Sequence, residues 1–176
     1  MKKHRFRNAS AMTQKFLQGE IRLILGECVD CEGGVERDGR YFRFESGESL
    51  HCKYVEGDRV AVMMSYKEAG LPAEQFAQSR GWNDRRYVSE RYMPHTFTVE
   101  GVRCVRVKEL TEEEMLKCGV YVNRGGNYMV GGSVGGWERS ASAAFARMWN
   151  FERKIPYERN PWVIVYDIVP LVTCLK

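Results

Sequence analysis

Two strand-length runs in this chain are apolar almost without interruption, and nothing else in the sequence constrains the fold as much. One is Val60-Ala61-Val62-Met63-Met64; the other is Trp162-Val163-Ile164-Val165-Tyr166-Asp167-Ile168-Val169. Successive side chains of a strand point to opposite faces, so a strand with one wet face alternates in polarity. A strand apolar on both faces belongs inside a sheet or barrel wall, with cover above and below. The chain has 176 residues, 44% hydrophobic and 28% charged, which is an ordinary globular composition and enough for one domain over 1–176. That composition excludes intrinsic disorder and collagen-like order. No run approaches the ~18 consecutive apolar residues of a membrane helix.

The other segments are shorter. Residues 8–18 read as a helix capped by Asn8 or Ser10, with Met12, Phe16 and Leu17 near one face and Gly19 at its end. Residues 20–27 read as a strand, and 35–38 with 40–45 as a hairpin around Asp38-Gly39. Tyr54-Val55-Glu56-Gly57-Asp58-Arg59 turns into the first apolar run. Residues 67–80 have a helical composition around Pro72, and 96–108 read as a longer strand with a turn or bulge at Glu100-Gly101. Thr111-Glu112-Glu113-Glu114 is a capping-box pattern opening a helix that stops at Gly119. Glycine pairs at 125, 131 and 135 mark a mobile loop over 121–136, and Ser140 caps a helix to about residue 150. Short strands and helices without a strand-helix-strand rhythm predict an α+β fold with a small barrel or strongly curved sheet.

Charge and cysteine content narrow the setting. The formal net charge is +4, which permits an anionic partner without demanding one. The basic start, Met1 to Arg7, is followed by no apolar h-region, so no secretory signal is expected and the compartment is taken as the reducing cytoplasm, with free thiols. Cys28-x-x-Cys31 with His51-Cys52 offers zinc-type ligands, but the second Cys-x-x-Cys of a zinc ribbon is missing. Free cysteines near a hairpin are the simpler reading, with no metal and no cofactor.

Several pieces, in order, resemble the ASCH domain family of the PUA-like superfamily of small β-barrels. They are Phe6-Arg7-Asn8 through Gly19; Tyr54 through Val62, continuing as Ser65-Tyr66-Lys67-Glu68-Ala69-Gly70; Met93-Pro94-His95 into Val102-Arg103-Cys104-Val105 and Glu109-Leu110-Thr111; and Ser140 to Phe145 followed by Asn160 to Tyr166. Residues 20–53 and 121–138 match poorly. The resemblance implies a PUA-like barrel with flanking helices and a cleft suited to RNA or a modified nucleobase, in a protein of the small bacterial or prophage-encoded kind.

Some ASCH proteins are amidohydrolases acting on acylated cytidines, with a Gly-x-Lys-x-x-Thr-x-Arg stretch and a later glutamate. Here Ile21 and Ile24 stand at the lysine and threonine positions, and Met64 at the glutamate. None of these side chains moves a proton. Arg22 is in reach of a register shift but stays charged and is a poor base. Binding without the usual catalytic set is therefore expected, with no catalytic residue assigned. A divergent amidohydrolase and a prophage-borne protein-interaction module are the alternatives.

For such a cleft the candidate residues are Arg22, Ser65, Tyr66, Lys67, Arg85, Arg86, Tyr87 and Arg91. The stretch from Trp82 to Arg91 interleaves aromatic rings, which stack on unpaired bases, with guanidinium groups, which meet phosphates. Lys2, Lys3, Arg5 and Arg7 add local charge. A triad of Ser65, His95 and an acid lacks the glycines of a nucleophile elbow. The glycine pairs lack the lysine of a phosphate-binding loop.

Overall fold

The computed structural model of the chain describes residues 1–6, 9–130 and 136–171. Asn8, the Ser10 side chain, residues 131–135 and Cys174 lie outside the described residues. In chain order the elements are β1 (Lys2–His4), α1 (Ala9–Leu17), β2 (Leu23–Val29), β3 (Val35–Asp38), β4 (Tyr41–Phe44), β5 (Ser49–His51), β6 (Arg59–Val62), α2 (Ala73–Phe76), β7 (Thr96–Arg106), α3 (Glu112–Lys117), β8 (Val120–Val122), β9 (Tyr128–Val130), α4 (Ala141–Glu152) and β10 (Trp162–Leu171). Three single 3-10 turns, at Arg80–Trp82, Arg85–Tyr87 and Glu90–Tyr92, separate α2 from β7.

The two apolar runs take interior places, as their composition requires. The main sheet has the order β1-β6-β7-β10-β2, and β10 pairs antiparallel with both β7 and β2. Its alternate side chains feed two separate cores. Ile164, Tyr166 and Ile168 enter a cluster with Phe16, Tyr54 and Phe97, which the three-stranded sheet β3-β4-β5 closes with Phe42, Phe44 and Leu50. Val163 and Val165 enter the opposite cluster with Phe145, Met148 and Trp149 of α4 and Met115 of α3. A strand between two cores has no wet face.

Local signals hold where a short-range contact enforces them. Thr111 Oγ1 accepts from Glu114 N while the Glu114 carboxylate accepts from Thr111 N at 2.8 Å, the capping box in full. Ser140 Oγ accepts from Ala143 N at the start of α4. Gly39, at φ 57°, makes the β3–β4 turn. In the β7–β10 ladder Asp167 faces Gly101 and Ile168 faces Val99, which leaves Glu100 as the extra residue of a bulge.

Other expectations change. The helix over 67–80 shrinks to α2, because Gly70 turns the chain at φ 68° and Pro72 sits at the helix start. The strand expected at 20–27 begins only at Leu23. The loop over 121–136 opens with the β8–β9 hairpin, whose turn is held by Asn123 Oδ1 accepting from Gly125 N and Asn127 N at 2.9 Å. Residues 2–4, polar in sequence, form β1, parallel to β6. The fold is α+β, as expected. Among the described residues, though, no hydrogen-bonded pairing joins β1 to β2, so the ladder ends on those two strands and is not closed into a barrel. No described helix is long and apolar enough to cross a membrane.

Candidate functional site

A cavity of about 260 Å³ lies where the two end strands fail to pair. Its wall comes from His4, Arg5 and Phe6 at the end of β1, from Leu23 to Glu27 of β2, from Lys53 and Tyr54, from Tyr166 of β10, and from the C-terminal end of α4. Gly26 makes the space possible. A Cβ at this position would stand 2.8 Å from Tyr166 Cε2 and 3.1 Å from Ile164 Cβ, so any side chain there would displace the Tyr166 ring. That ring is anchored at its hydroxyl, which accepts from Lys53 N at 2.9 Å, and it packs edge-on against Tyr54 at 5.1 Å between centroids. Arg153 ties α4 to the open strand, donating to Gly26 O at 2.6 Å and Leu25 O at 3.0 Å while its guanidinium lies 5.3 Å from the Trp149 ring centroid.

Electrostatically the wall is mixed. Arg5, Lys53 and Arg153 are cationic, and Glu27 and Glu152 are acidic. Arg5, Glu27 and Lys53 are exposed, so they mark the rim. Although Lys53 is exposed as a residue, partial desolvation of its ammonium lowers it from its ordinary value, and Arg5 adds to the shift. His4 is driven to about 3, first by burial and then by Lys53, so it is neutral at pH 7. Burial also raises the Tyr166 hydroxyl to about 12 and the Cys118 thiol to about 12. Neither ionises under ordinary conditions. Apart from the half-buried Glu152 and Arg153, the interior groups of the site are therefore neutral, and the exposed charges stand at its mouth.

None of the eight residues picked from the sequence lines this cavity. Arg22 sits on the turn before β2, where its Nε donates to Gly19 O at 3.0 Å. Ser65 is buried, and its hydroxyl donates to Glu68 Oε2 at 2.9 Å. Tyr66 is buried too. Its hydroxyl accepts from Ser89 N at 3.0 Å, and its ring packs on Phe76 and Tyr92, so it anchors the 79–92 segment and offers no stacking face. Lys67 is exposed. The segment itself is brought together on the surface. Tyr87 is 52% exposed, with Arg80 at 5.5 Å and Arg86 at 5.8 Å from its ring. Arg91 covers Tyr92 at 4.5 Å. Arg85 is half-buried. Arg86 is already engaged by Asp84, with Nη2 2.7 Å from Oδ2. One contact links the segment to the cavity: Arg5 donates to Arg86 O at 3.3 Å.

Of the three positions that the resemblance would assign to amidohydrolase chemistry, Ile21 is 0% exposed and Met64 2%, both inside one core, while Ile24, 7% exposed in the same core, also borders the cavity with an apolar side chain. The Cys-x-x-Cys pair is split by the sheet: Cys31 and Cys52 belong to one core, while Cys28 packs against the other. Among the described residues no group of three or more His, Cys, Asp or Glu is placed to hold a metal ion.

The residues missed by sequence reasoning are His4, Lys53, Tyr54, Tyr166 and Arg153. One signal was available. A glycine directly after the apolar run Leu23-Ile24-Leu25, inside a strand, marks a bulge or a close approach, and Gly26 is that place. No family model, no curated protein and no solved structure matches the chain, so the chemistry of the cavity itself has to carry the functional reading.

Proposed function

We propose that this chain is an ASCH-type, PUA-like protein that binds RNA or a nucleotide, with its barrel open at the seam between β1 and β2 and the ligand held there. The observation that carries the reading is the cavity itself. His4 and Leu25, both half-buried, line its interior with Tyr54, Tyr166 and Trp149 packed behind them, and Arg5 and Lys53 put cations at its mouth. A base fits the first kind of surface and a phosphate the second. Its volume suits a single nucleoside-sized group rather than a stretch of strand. The exposed Tyr87 with Arg80 and Arg91 lies along the surface that Arg5 links to the cavity, and it suits the remainder of an RNA.

Burial of Ile21 and Met64 counts against hydrolysis by the family's usual residues. A reducing cytoplasm suits the cysteines, and no metal or cofactor is needed for binding. Isothermal titration with the four ribonucleoside 5′-monophosphates and with short single-stranded RNAs at ~50 mM salt tests the reading. Saturable binding that weakens as salt rises supports it. No binding to any of them sinks it, and a copurifying host protein in their place would favour the interaction-module reading.

A further inference from the structure

We infer that His4 is the ligand-reading residue of the cavity: its Nε2 is a fixed hydrogen-bond acceptor, so the cavity selects a planar group that presents an N–H or O–H there. This rests on the nucleotide reading for the identity of the ligand, and on hydrogen-bond directions alone for the acceptor. Tyr54 carries one hydroxyl proton and gives it to Lys3 O at 2.9 Å. The Tyr54 oxygen can therefore only accept from His4 Nδ1, 3.0 Å away. The proton of the neutral imidazole is then on Nδ1, and Nε2 keeps its lone pair. Burial raises the Tyr54 hydroxyl well above its ordinary value, so it stays protonated and the direction of the chain does not reverse.

A flipped ring would lose the Nδ1 bond to Tyr54, and Phe6 and Phe97 meet it edge-on at 4.7 and 5.7 Å between centroids. Among the described residues, the only buried side-chain nitrogen or oxygen without a partner is Trp162 Nε1, so His4 Nε2 is not sealed in protein. His4 lines the cavity, and Nε2 is the polar atom it has left to offer. At the other end of the wall Arg153 is held in place by its bonds from Nη1 to Gly26 O and from Nη2 to Leu25 O. A ligand therefore meets an acceptor at His4 and cations at the mouth. The amide or exocyclic-amine edge of a nucleobase, with its phosphate outward, has that pattern.

Nitrogen-15 NMR of the imidazole at pH 7 tests the acceptor without any ligand. The expected result is a protonated Nδ1 and a bare Nε2; a protonated Nε2 overturns the inference. The ligand side is tested by titrating the four nucleoside monophosphates and the N-methylated analogue of the tightest binder. His4→Phe keeps the ring shape and removes the acceptor. It should weaken the parent nucleotide about tenfold or more and leave the methylated analogue unchanged. Equal loss for both, or no loss, overturns the reading role. If His4→Phe does not fold, Tyr54→Phe serves instead: loss of the Nδ1 lock should let the Nε2–H form appear in the NMR spectrum. If no monophosphate binds, the nucleotide reading and the ligand named here fall together, and the NMR result still decides the acceptor.

Discussion

The cavity at the β1–β2 seam and the 79–92 segment differ in how they hold charge. The segment is far richer in arginine, yet much of that charge is unavailable. Asp84 engages Arg86, with Nη2 2.7 Å from Oδ2. Arg91 lies over Tyr92 and Arg80 over Tyr87. The exposed guanidinium groups are screened by water and salt, so each is weak. The cavity has fewer charges, but burial changes what its groups are: His4 stays neutral and Lys53 becomes easier to deprotonate. The density of arginine letters is thus a poor guide to which groups the fold perturbs. Desolvation decides it, and desolvation depends on what packs nearby.

Four experiments would break or sharpen that contrast. The largest effect is expected from Met64→Glu, which puts a carboxylate in a place with 2% exposure. An unpaired carboxylate there should cost about 3 kcal/mol or more. The variant should melt far below wild type and gain no turnover of N4-acylated cytidine. A folded, active Met64→Glu protein would mean that this side of the sheet is a site after all. Gly26→Val comes next. Its side chain collides with Tyr166 and Ile164, and overpacking of this kind costs about 1–3 kcal/mol. Denaturant unfolding should show the loss, and nucleotide binding should fall even where the protein remains folded.

The third concerns pH. His4 is lowered in the folded state to about 3. Below its unfolded value, ~6.5, the unfolded chain takes a proton that the folded chain refuses. Stability therefore falls as pH drops from ~6.5, by up to ~1.4 kcal/mol per unit. His95 is lowered by burial as well and acts in the same direction. Urea melts at pH 7 and 5 should show a smaller difference for His4→Phe than for wild type. An equal difference removes His4 as the cause. The smallest effect on stability belongs to the surface: Arg80→Ala, Arg85→Ala and Arg91→Ala combined should change it by only about 0.5 kcal/mol per site or less. If the segment carries RNA, that triple variant should flatten the salt dependence of RNA binding while leaving a mononucleotide in the cavity unaffected. Unchanged salt dependence separates the segment from function.

Legibility followed range of interaction. The Thr111–Glu114 box, the Ser140 cap and the Gly39 turn each rest on neighbours a few residues apart, and each was readable; the Glu100 bulge was marked by Gly101 although its partners Asp167 and Ile168 are distant in the chain. Strand β1 was not, because Lys-Lys-His has no strand pattern of its own and is held by a parallel pairing with Val60 to Val62, almost sixty residues away. The β8–β9 hairpin was hidden by glycines that suggest a loop, although Asn123 organises the turn. Of the residues picked as a site, Tyr66 shows the difficulty most directly. Its aromatic ring and its place beside Ser65 and Lys67 fit a stacking role, but the same hydrophobic ring is worth more inside, where it pins Ser89 and packs on Phe76.

By itself, then, the sequence determined that two strands must be interior and that layers must cover both of their faces. Side-chain alternation along a strand is a property of the backbone and needs no partner to be known. Only the tertiary structure decided where the cavity lies. Its walls come from residues 4–6, 12, 23–27, 53–54, 118, 148–149, 152–153 and 166, which no local pattern associates. They meet because the five-stranded ladder ends on β1 and β2, leaving a gap that Gly26 keeps open and Tyr166 lines. The same long-range packing sets the Nδ1–H form of His4, because its partner Tyr54 is fifty residues away.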